Sequence, residues 1–385
     1  MKAIVNGRIV TVSGPVYENG TILFDEGKIT AVGENIALPD GTEIYDAKGG
    51  TVTPGLIDIH THLGVFSGLN TMPGSSDGNE MSEPITPEVR AIDAVNPDDI
   101  AISVTRKAGF TTVYTLPGSA NLIGGTGIAL KLRGNTAEEM MIPGTENMKF
   151  ALGENPKRVY GTNKKMPVTR MGNAALMRRT LFDAKVYSDA LKNYEEGRGE
   201  RPKPDFRLEA LVPVVRGEMR CRIHAHRADD IMTAVRIGRE FGLDFSIEHC
   251  TQGWKIAEEL HRENVTCMIG PMMMGPLKQE MWGERLDTAA ILHKAGVNIC
   301  LIADMAYDTQ WLPVKIGVAI REGLPYEEAL KAVTVNPARE MGLLDRIGTL
   351  ETGKDADIAV FDGDPFSNYT KCLYTFIDGQ LWDGE

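Results

Sequence analysis

Eight short apolar runs between residues 56 and 304 constrain this chain more than any other feature. They are LIDIHTH (56–62), TTVYTL (111–116), GIALKL (127–132), MKFAL (148–152), RCRIHAH (220–226), FSIEHC (245–250), VTCMIG (265–270) and NICLIAD (298–304). Each has strand length and strand composition. Stretches with helical spacing, such as DDIMTAVRIGREFG and WKIAEELHREN, stand between several of them. That alternation predicts an α/β fold, and the span approaches the ~250 residues of a (β/α)8 TIM barrel. Two places fit it poorly. Only residues 117–126, rich in Pro and Gly, separate TTVYTL from GIALKL, which leaves no room for a crossover helix. Residues 64–97 and 155–205 are long insertions, the second with a helix predicted near 168–196. Insertions of this size are usually lids or interface elements.

The two ends read differently. In AIVNGRIVTV an Asn-Gly pair between two β-branched runs predicts a hairpin, and GTILFDEGKITAVG repeats the pattern. ADIAVFDGDP and KCLYTFIDGQLW are strand-like as well. Short strands need partners, so residues 1–53 and 343–385 are expected to share a small β-sandwich beside a barrel of 54–342. PYEEALKAVTVNPAREMG predicts a helix, a break before Pro337 and a second helix ending at Gly342.

Composition narrows the partners. The 385 residues are 42% hydrophobic and 24% charged, ordinary for a soluble globular chain. No apolar run approaches a membrane span, and the first residues lack a signal-peptide core. A net charge of −12 argues against nucleic acid or an anionic membrane as partner. Five widely spaced cysteines without a CxxC pair read as buried thiols of a reducing compartment. The expectation is a cytoplasmic homo-oligomer acting on a small molecule.

The chemistry sits at the strand ends. His60 and His62 are two apart on one strand and so project to one side, where two neutral imidazoles suit a metal ion. Asp58, two residues earlier on that face, is placed to orient a ligand. Other strands deliver Lys149, His224, His249 and Asp304. In a barrel these ends gather on one face.

Taken together, VTPGLIDIHTH, GFTTVYTLPG, IHAH, SIEH, LIAD, NPAREMGL and GTLETGKDADIAVFDGDP resemble the metal-dependent amidohydrolase superfamily, most closely its imidazolonepropionase-related and prolidase-like members. The resemblance runs in order over nearly the whole chain. It implies a barrel flanked by a β-sandwich, with one or two divalent metals (Zn²⁺ first, with Mn²⁺, Fe²⁺ or Ni²⁺ as alternatives). A metal held by His60, His62 and Asp304 lowers the pKa of water to roughly 7. Asp304 would take the proton of that water and pass it to a leaving nitrogen. Asp308 is a rival for this role but falls beyond the strand.

The resemblance leaves two choices open. The group between two metals is Lys149, carboxylated by CO₂, or Glu154, which is already a carboxylate. In RIHAHRADD the first histidine, His224, is the implied ligand, and His226 would polarise the substrate carbonyl or bind its carboxylate. Arg227, Lys157, Arg158 and Tyr160 lie just beyond strand ends, where one could neutralise a substrate carboxylate. His261 and His293 fall in helices and read as packing or surface residues. The Met-rich MIGPMMMG (268–275) could line a pocket or pack in the core. The implied reaction is hydrolysis of a C–N bond in an amide, cyclic amide or N-acyl amino acid. The alternatives are a single-metal deaminase of a heterocycle and a non-catalytic scaffold of the same fold.

Overall fold

The computed structural model describes residues 1–66, 77–275 and 277–384. Part of the 64–97 insertion, residues 67–76, lies outside the described residues.

The N-terminal segment forms five strands: β1 (Lys2–Val10), β2 (Val16–Asp25), β3 (Lys28–Gly33), β4 (Glu43–Asp46) and β5 (Thr51–Pro54). The hairpin predicted at Asn6-Gly7 is absent. β1 runs straight through that pair, which instead forms an irregularity in its pairing with β2, with Asn6 at φ +56°. A Cβ at Gly7 would come within 2.7 Å of Val52 Cγ2, so Gly7 serves close packing and not a turn. The two-residue hairpin lies one strand later, at Glu26-Gly27 between β2 and β3. Both its residues have positive φ, as a turn matching strand twist requires.

Eight further strands follow: β6 (Leu56–Thr61), β7 (Phe110–Thr115), β8 (Ile123–Lys131), β9 (Asn147–Ala151), β10 (Cys221–Ala225), β11 (Phe245–His249), β12 (Thr266–Ile269) and β13 (Ile299–Leu301). Each covers one of the eight predicted runs within a few residues. They form one sheet in sequence order, β6 to β13. Past the end of β13 the edges are joined: Asp304 N donates to His60 O (3.0 Å) and His62 N to Asp304 O (3.1 Å). The result is a nearly closed barrel whose strands are buried on both faces.

One strand breaks the expected pattern. β8 pairs antiparallel with both β7 and β9. The short Pro/Gly connection cannot carry a crossover helix, so the chain turns back directly. Thr126 N donates to Val89 O (2.8 Å), and Gly125 at φ +103° permits the approach, since a Cβ there would lie 2.1 Å from that oxygen.

Helices cover the barrel outside. The helix Ala228–Phe241 buries Ile231, Ala234, Val235 and Gly238 on one face. It begins with Asp229 and Asp230 and ends at left-handed Gly242. The predicted insertion helix is Arg170–Glu195. Helices Tyr326–Lys331 and Val335–Glu340 match the predicted pair, but the break falls at residues 332–334 and Pro337 sits in the first turn of the second. A proline is tolerated there because its missing N–H has no intrahelical partner to lose.

β14 (Ile358–Phe361), β15 (Cys372–Ile377) and β16 (Gln380–Gly384) return to the N-terminal strands. Both ends of the chain thus share one continuous eight-stranded sheet, with β4 branching from β1. Two separate facing sheets, as in a sandwich, are not resolved in that pairing. The sheet has its own apolar core, including Ile4, Ile22, Phe24, Val52, Ile358 and Phe376.

A buried ion cluster ties this sheet to the barrel. Lys131 at the end of β8 contacts Asp355 (2.7 Å), Asp357 (3.3 Å) and Asp378, while Lys28 and Arg346 also reach Asp355 (2.6 and 3.0 Å). Removing one member of a buried cluster strands the rest. Lys131→Met should lower unfolding free energy by about 3–5 kcal/mol in a denaturant titration. Loss of under about 1 kcal/mol would show the cluster to be dispensable.

Candidate metal centre and active-site cavity

Barrel strands end by turning polar side chains over the barrel mouth. His249, Cys250 and Asp304 have φ of +71°, +50° and +69°. Such values are uncommon for residues other than glycine and accumulate at functional sites. Two groups of donor atoms form, each within 4.8 Å of one another: His60, His62 and Asp304, and His224, His226 and His249. Asp304 Oδ1 lies 3.4 Å from His60 Nε2, 3.5 Å from His62 Nε2 and 4.0 Å from His249 Nε2, so it faces both groups.

The ring orientations are fixed from behind. His62 Nδ1 meets Leu116 O (2.7 Å), His249 Nδ1 meets Gly270 O (2.8 Å), and His60 Nδ1 meets the Glu248 carboxylate. A carbonyl or carboxylate oxygen only accepts, so each Nδ1 carries the proton and each Nε2 presents a lone pair. His226 Nδ1 is held by Thr251 Oγ1 (2.7 Å). His224 is buried, and neither of its ring nitrogens has a hydrogen-bond partner. A buried imidazole without a partner is costly unless something binds it. The donor set fits a divalent ion: free Nε2 atoms backed by oxygen acceptors are the usual arrangement of ligating histidines.

Electrostatics agree with this. Burial lowers the pKa of His62, His224 and His226, the last two well below the ordinary value, and brings His249 down to about 3. The rings are therefore neutral, the form that ligates. Burial opposes ionisation of Asp304, but His249, His60 and His62 outweigh it and hold the carboxylate well below its usual range. Glu248 is ionised likewise: burial works against it, and Arg222 and His60 prevail.

Lys149 reaches the centre. Its Nζ lies 3.4 Å from His60 Nε2, and burial brings its pKa down to about 8. Glu154 does not belong to either donor group. It opens the helix Glu154–Gly161, where its backbone N donates to Glu280 Oε2 (2.7 Å). Asp58 acts on backbone and not on an imidazole ring: it accepts from His60 N (3.2 Å), Ala303 N (3.4 Å) and Thr309 Oγ1 (2.9 Å), joining β6 to the segment after β13. Asp308 is engaged by Lys315 (2.9 Å). His261 is exposed, and His293 lies 3.9 Å from Glu328 in a separate cavity.

Sequence reasoning missed Glu248 and Arg222. Arg222, wholly inside the barrel, donates to Asn147 Oδ1 (3.0 Å) and Ile59 O (3.1 Å) and lies 3.7 Å from Glu248. Their signal was present: a Glu and an Arg within apolar strands that are buried on both faces.

The cavity over the centre has a volume of about 440 Å³ and is bounded by His62, His224, His226, Asp304, Lys278 and Arg158. Among the rim groups proposed from sequence only Arg158 lines it. Arg227 is paired with Asp229 (2.8 Å) and the Tyr160 hydroxyl is spent on Glu83 O (2.7 Å). The Met-rich loop divides its work: Met268 and Met272 are buried, and Met274 faces the cavity.

Residues 161–382 match the sequence profile of the Amidohydrolase family. A crystal structure of an amidohydrolase from Thermotoga maritima MSB8 shares 38% identity over the whole of both chains, with a TM-score of 0.95. The chain belongs to the amidohydrolase family. The reaction class that goes with this family is hydrolysis of a carbon–nitrogen bond. Amidohydrolase tasK of Hapsidospora irregularis is 31% identical over 94% of this chain, which spans 39% of that longer protein. An imidazolonepropionase of Sphingopyxis alaskensis is 24% identical over 99% of this chain and 96% of its own length. Among the described residues no helix is long and apolar enough to cross a membrane. The five cysteines are free thiols, four of them buried, as expected.

Two outcomes follow for this amidohydrolase. Glu248→Gln should weaken zinc binding about 10- to 100-fold in a competitive chelator titration, because the His60 ring loses its anionic partner. Unchanged affinity would remove Glu248 from the centre. Lowered imidazole pKa values mean that protons compete less with metal as pH falls. Zinc should therefore stay bound well below pH 6.5, and release following an ordinary histidine titration would contradict these environments.

Proposed function

We propose that this amidohydrolase cleaves the C–N bond of a small amide, cyclic amide or N-acyl amino acid, using one or two divalent ions, zinc foremost. The observation carrying this reading is the convergence of five imidazoles and one carboxylate beneath one cavity, which His62, His224, His226 and Asp304 line directly. In this reading His60, His62 and Asp304 would hold one ion and His224 and His249 a second. Lys149, once carboxylated by CO₂, would add a carboxylate ligand to this set. Its lowered pKa supports this, since only the neutral amine reacts with CO₂. A bound divalent ion supplies Lewis acidity and ionises water near neutral pH.

The chain's own groups do the rest. Asp304 accepts the proton of the attacking water and gives it to the amide nitrogen as the bond between carbonyl carbon and nitrogen breaks. Water and amide yield a carboxylate and a free amine. His226, which lines the same cavity as Asp304, meets the carbonyl oxygen and steadies the charge that develops there. A deaminase with a single ion would leave the second donor group without a task. The free thiols fit a cytoplasmic setting.

The test uses a panel of N-acetyl amino acids and cyclic amides. Wild-type protein should hydrolyse at least one, lose activity on prolonged chelation and regain it with Zn²⁺ or Mn²⁺. Full activity without metal would refute the reading. Asp304→Asn should lower kcat by at least about 10²-fold with circular dichroism unchanged, and near-normal turnover would exclude Asp304 as the proton carrier. Intact mass should show one added CO₂ that is lost in Lys149→Met.

A further inference from the structure

The cavity wall runs against the charge of the molecule. The chain carries −12 overall, yet among the described residues the Lys, Arg, Asp and Glu side chains lining the cavity are Lys278, Arg158 and Asp304. Asp304 belongs to the floor already described. The two cations stand on the wall, and that reading of the floor gives neither a task.

Lys278 is fixed in place. Its side chain is only 14% exposed, and its ammonium lies 2.7 Å from Glu280 Oε1 and 3.2 Å from Asn155 Oδ1. Glu280 is itself buried, and its other oxygen accepts from Glu154 N (2.7 Å). Asn155 is steadied in turn by a bond from its Nδ2 to Ser119 Oγ (2.7 Å). An ammonium has three donors; one bonds Asn155 Oδ1 and the contact with Glu280 is an ion pair, which leaves donor capacity for the cavity. Glu280 balances the charge of Lys278, so this residue offers a positioned donor more than a net charge.

Arg158 supplies the charge. It stands three residues after Asn155 on the helix Glu154–Gly161, hence on the same helical face. It is exposed at the rim, and its guanidinium has no carboxylate partner among the described residues. A guanidinium is planar and matches a carboxylate with two parallel bonds.

Apart from Asn79, Ser119 and Asn155, the remaining wall is largely apolar. Met81, Met274, Met281 and Met305 line it together with Phe66 and Val159. Flexible thioethers adapt to side chains of varied shape.

We propose that the cavity contains an anion subsite, formed by Lys278 and Arg158, which takes the carboxylate of an N-acyl amino acid whose apolar side chain packs on the methionine wall. The inference rests on the amide-hydrolase reading and narrows it to acidic substrates. Lys278 and Arg158 are specificity residues. They touch the substrate carboxylate and take no part in bond cleavage.

The test compares N-acetyl-L-methionine with its neutral counterpart, N-acetyl-L-methioninamide, on the zinc-loaded protein, by kinetics of deacetylation and by calorimetric binding. Wild type should prefer the acid by at least about 10-fold in kcat/KM or Kd. Arg158→Met and Lys278→Met should each raise KM or Kd for the acid about 10- to 100-fold, the range for one charge-assisted hydrogen bond, and collapse the ratio between acid and amide. Arg158→Lys should restore part of it. A merely structural role would weaken both probes alike and leave the ratio intact. Equal handling of the two probes by wild type, no binding of the acid, or an unchanged ratio in Arg158→Met would overturn the subsite. Preferential binding of the acid without cleavage of either probe would support the subsite and count against the hydrolytic reading.

Discussion

Glu248 is wholly buried at the centre of the barrel, and its carboxylate on His60 Nδ1 is the contact from which the centre is organised. A buried carboxylate is costly unless charge and hydrogen bonds surround it. Here Ser246 Oγ donates 2.6 Å to Oε1, Arg222 stands 3.7 Å from the same oxygen, and the His60 ring satisfies the other. Arg222 is stacked over the Tyr114 ring at 4.0 Å and donates to β6 and β9, so one guanidinium links three strands to the carboxylate. The polar layer inside the barrel thus fixes the tautomer of His60 and aims its Nε2 at Asp304 and Lys149. Remove that layer and the floor of the cavity has no defined geometry.

The same physics explains why the two donor groups differ. In the first, Asp304 brings a negative charge between His60 and His62, and Lys149 stands alongside. In the second, the ring centroids of His224, His226 and His249 lie 4.5–4.8 Å apart, with Glu280 Oε1 3.9 Å from His224 and His226 and Asp304 Oδ1 4.0 Å from His249. The Glu280 carboxylate is already engaged by Lys278. A cation bound by neutral imidazoles alone is less compensated than one bound with a carboxylate, so the first group offers the more favourable electrostatic site. A carboxylated Lys149 would shift that balance by adding an anion near both.

Much of this was legible in the sequence. All eight barrel strands were visible because strands buried on both faces leave unbroken apolar runs, and His60, His62, Lys149, His224, His249 and Asp304 were visible because each interrupts or ends such a run. What could not be read was pairing across the sequence. Asn6-Gly7 has hairpin chemistry, yet Gly7 is claimed by packing against Val52, a contact forty-odd residues away that no local pattern encodes. Glu248 sits next to a recognised histidine, but its partner is on another strand. Arg158 and Tyr160 looked equivalent beside the strand end. Only the fold shows one facing the cavity and the other turned to Glu83.

The antiparallel third strand shows how a departure from the regular barrel becomes a functional surface. A parallel β8 would need a crossover helix packed outside the barrel, and the segment before it would then be carried away from the mouth. With the direct turn, Gly118, Ser119 and Ala120 stay at the rim and line the cavity. Their neighbours are recruited from the first insertion: Asn79 accepts from Ala120 N (3.0 Å), and Ile85 and Arg90 bridge to β8 in parallel. Asn79 and Met81 thereby enter the cavity wall, and Ser119 holds Asn155, which holds Lys278. The reversed strand thus connects the first insertion, the helix after β9 and the loop after β12 into one wall. The floor comes from residues that the barrel strands must present, and the wall comes from the one strand that does not follow the barrel's rule.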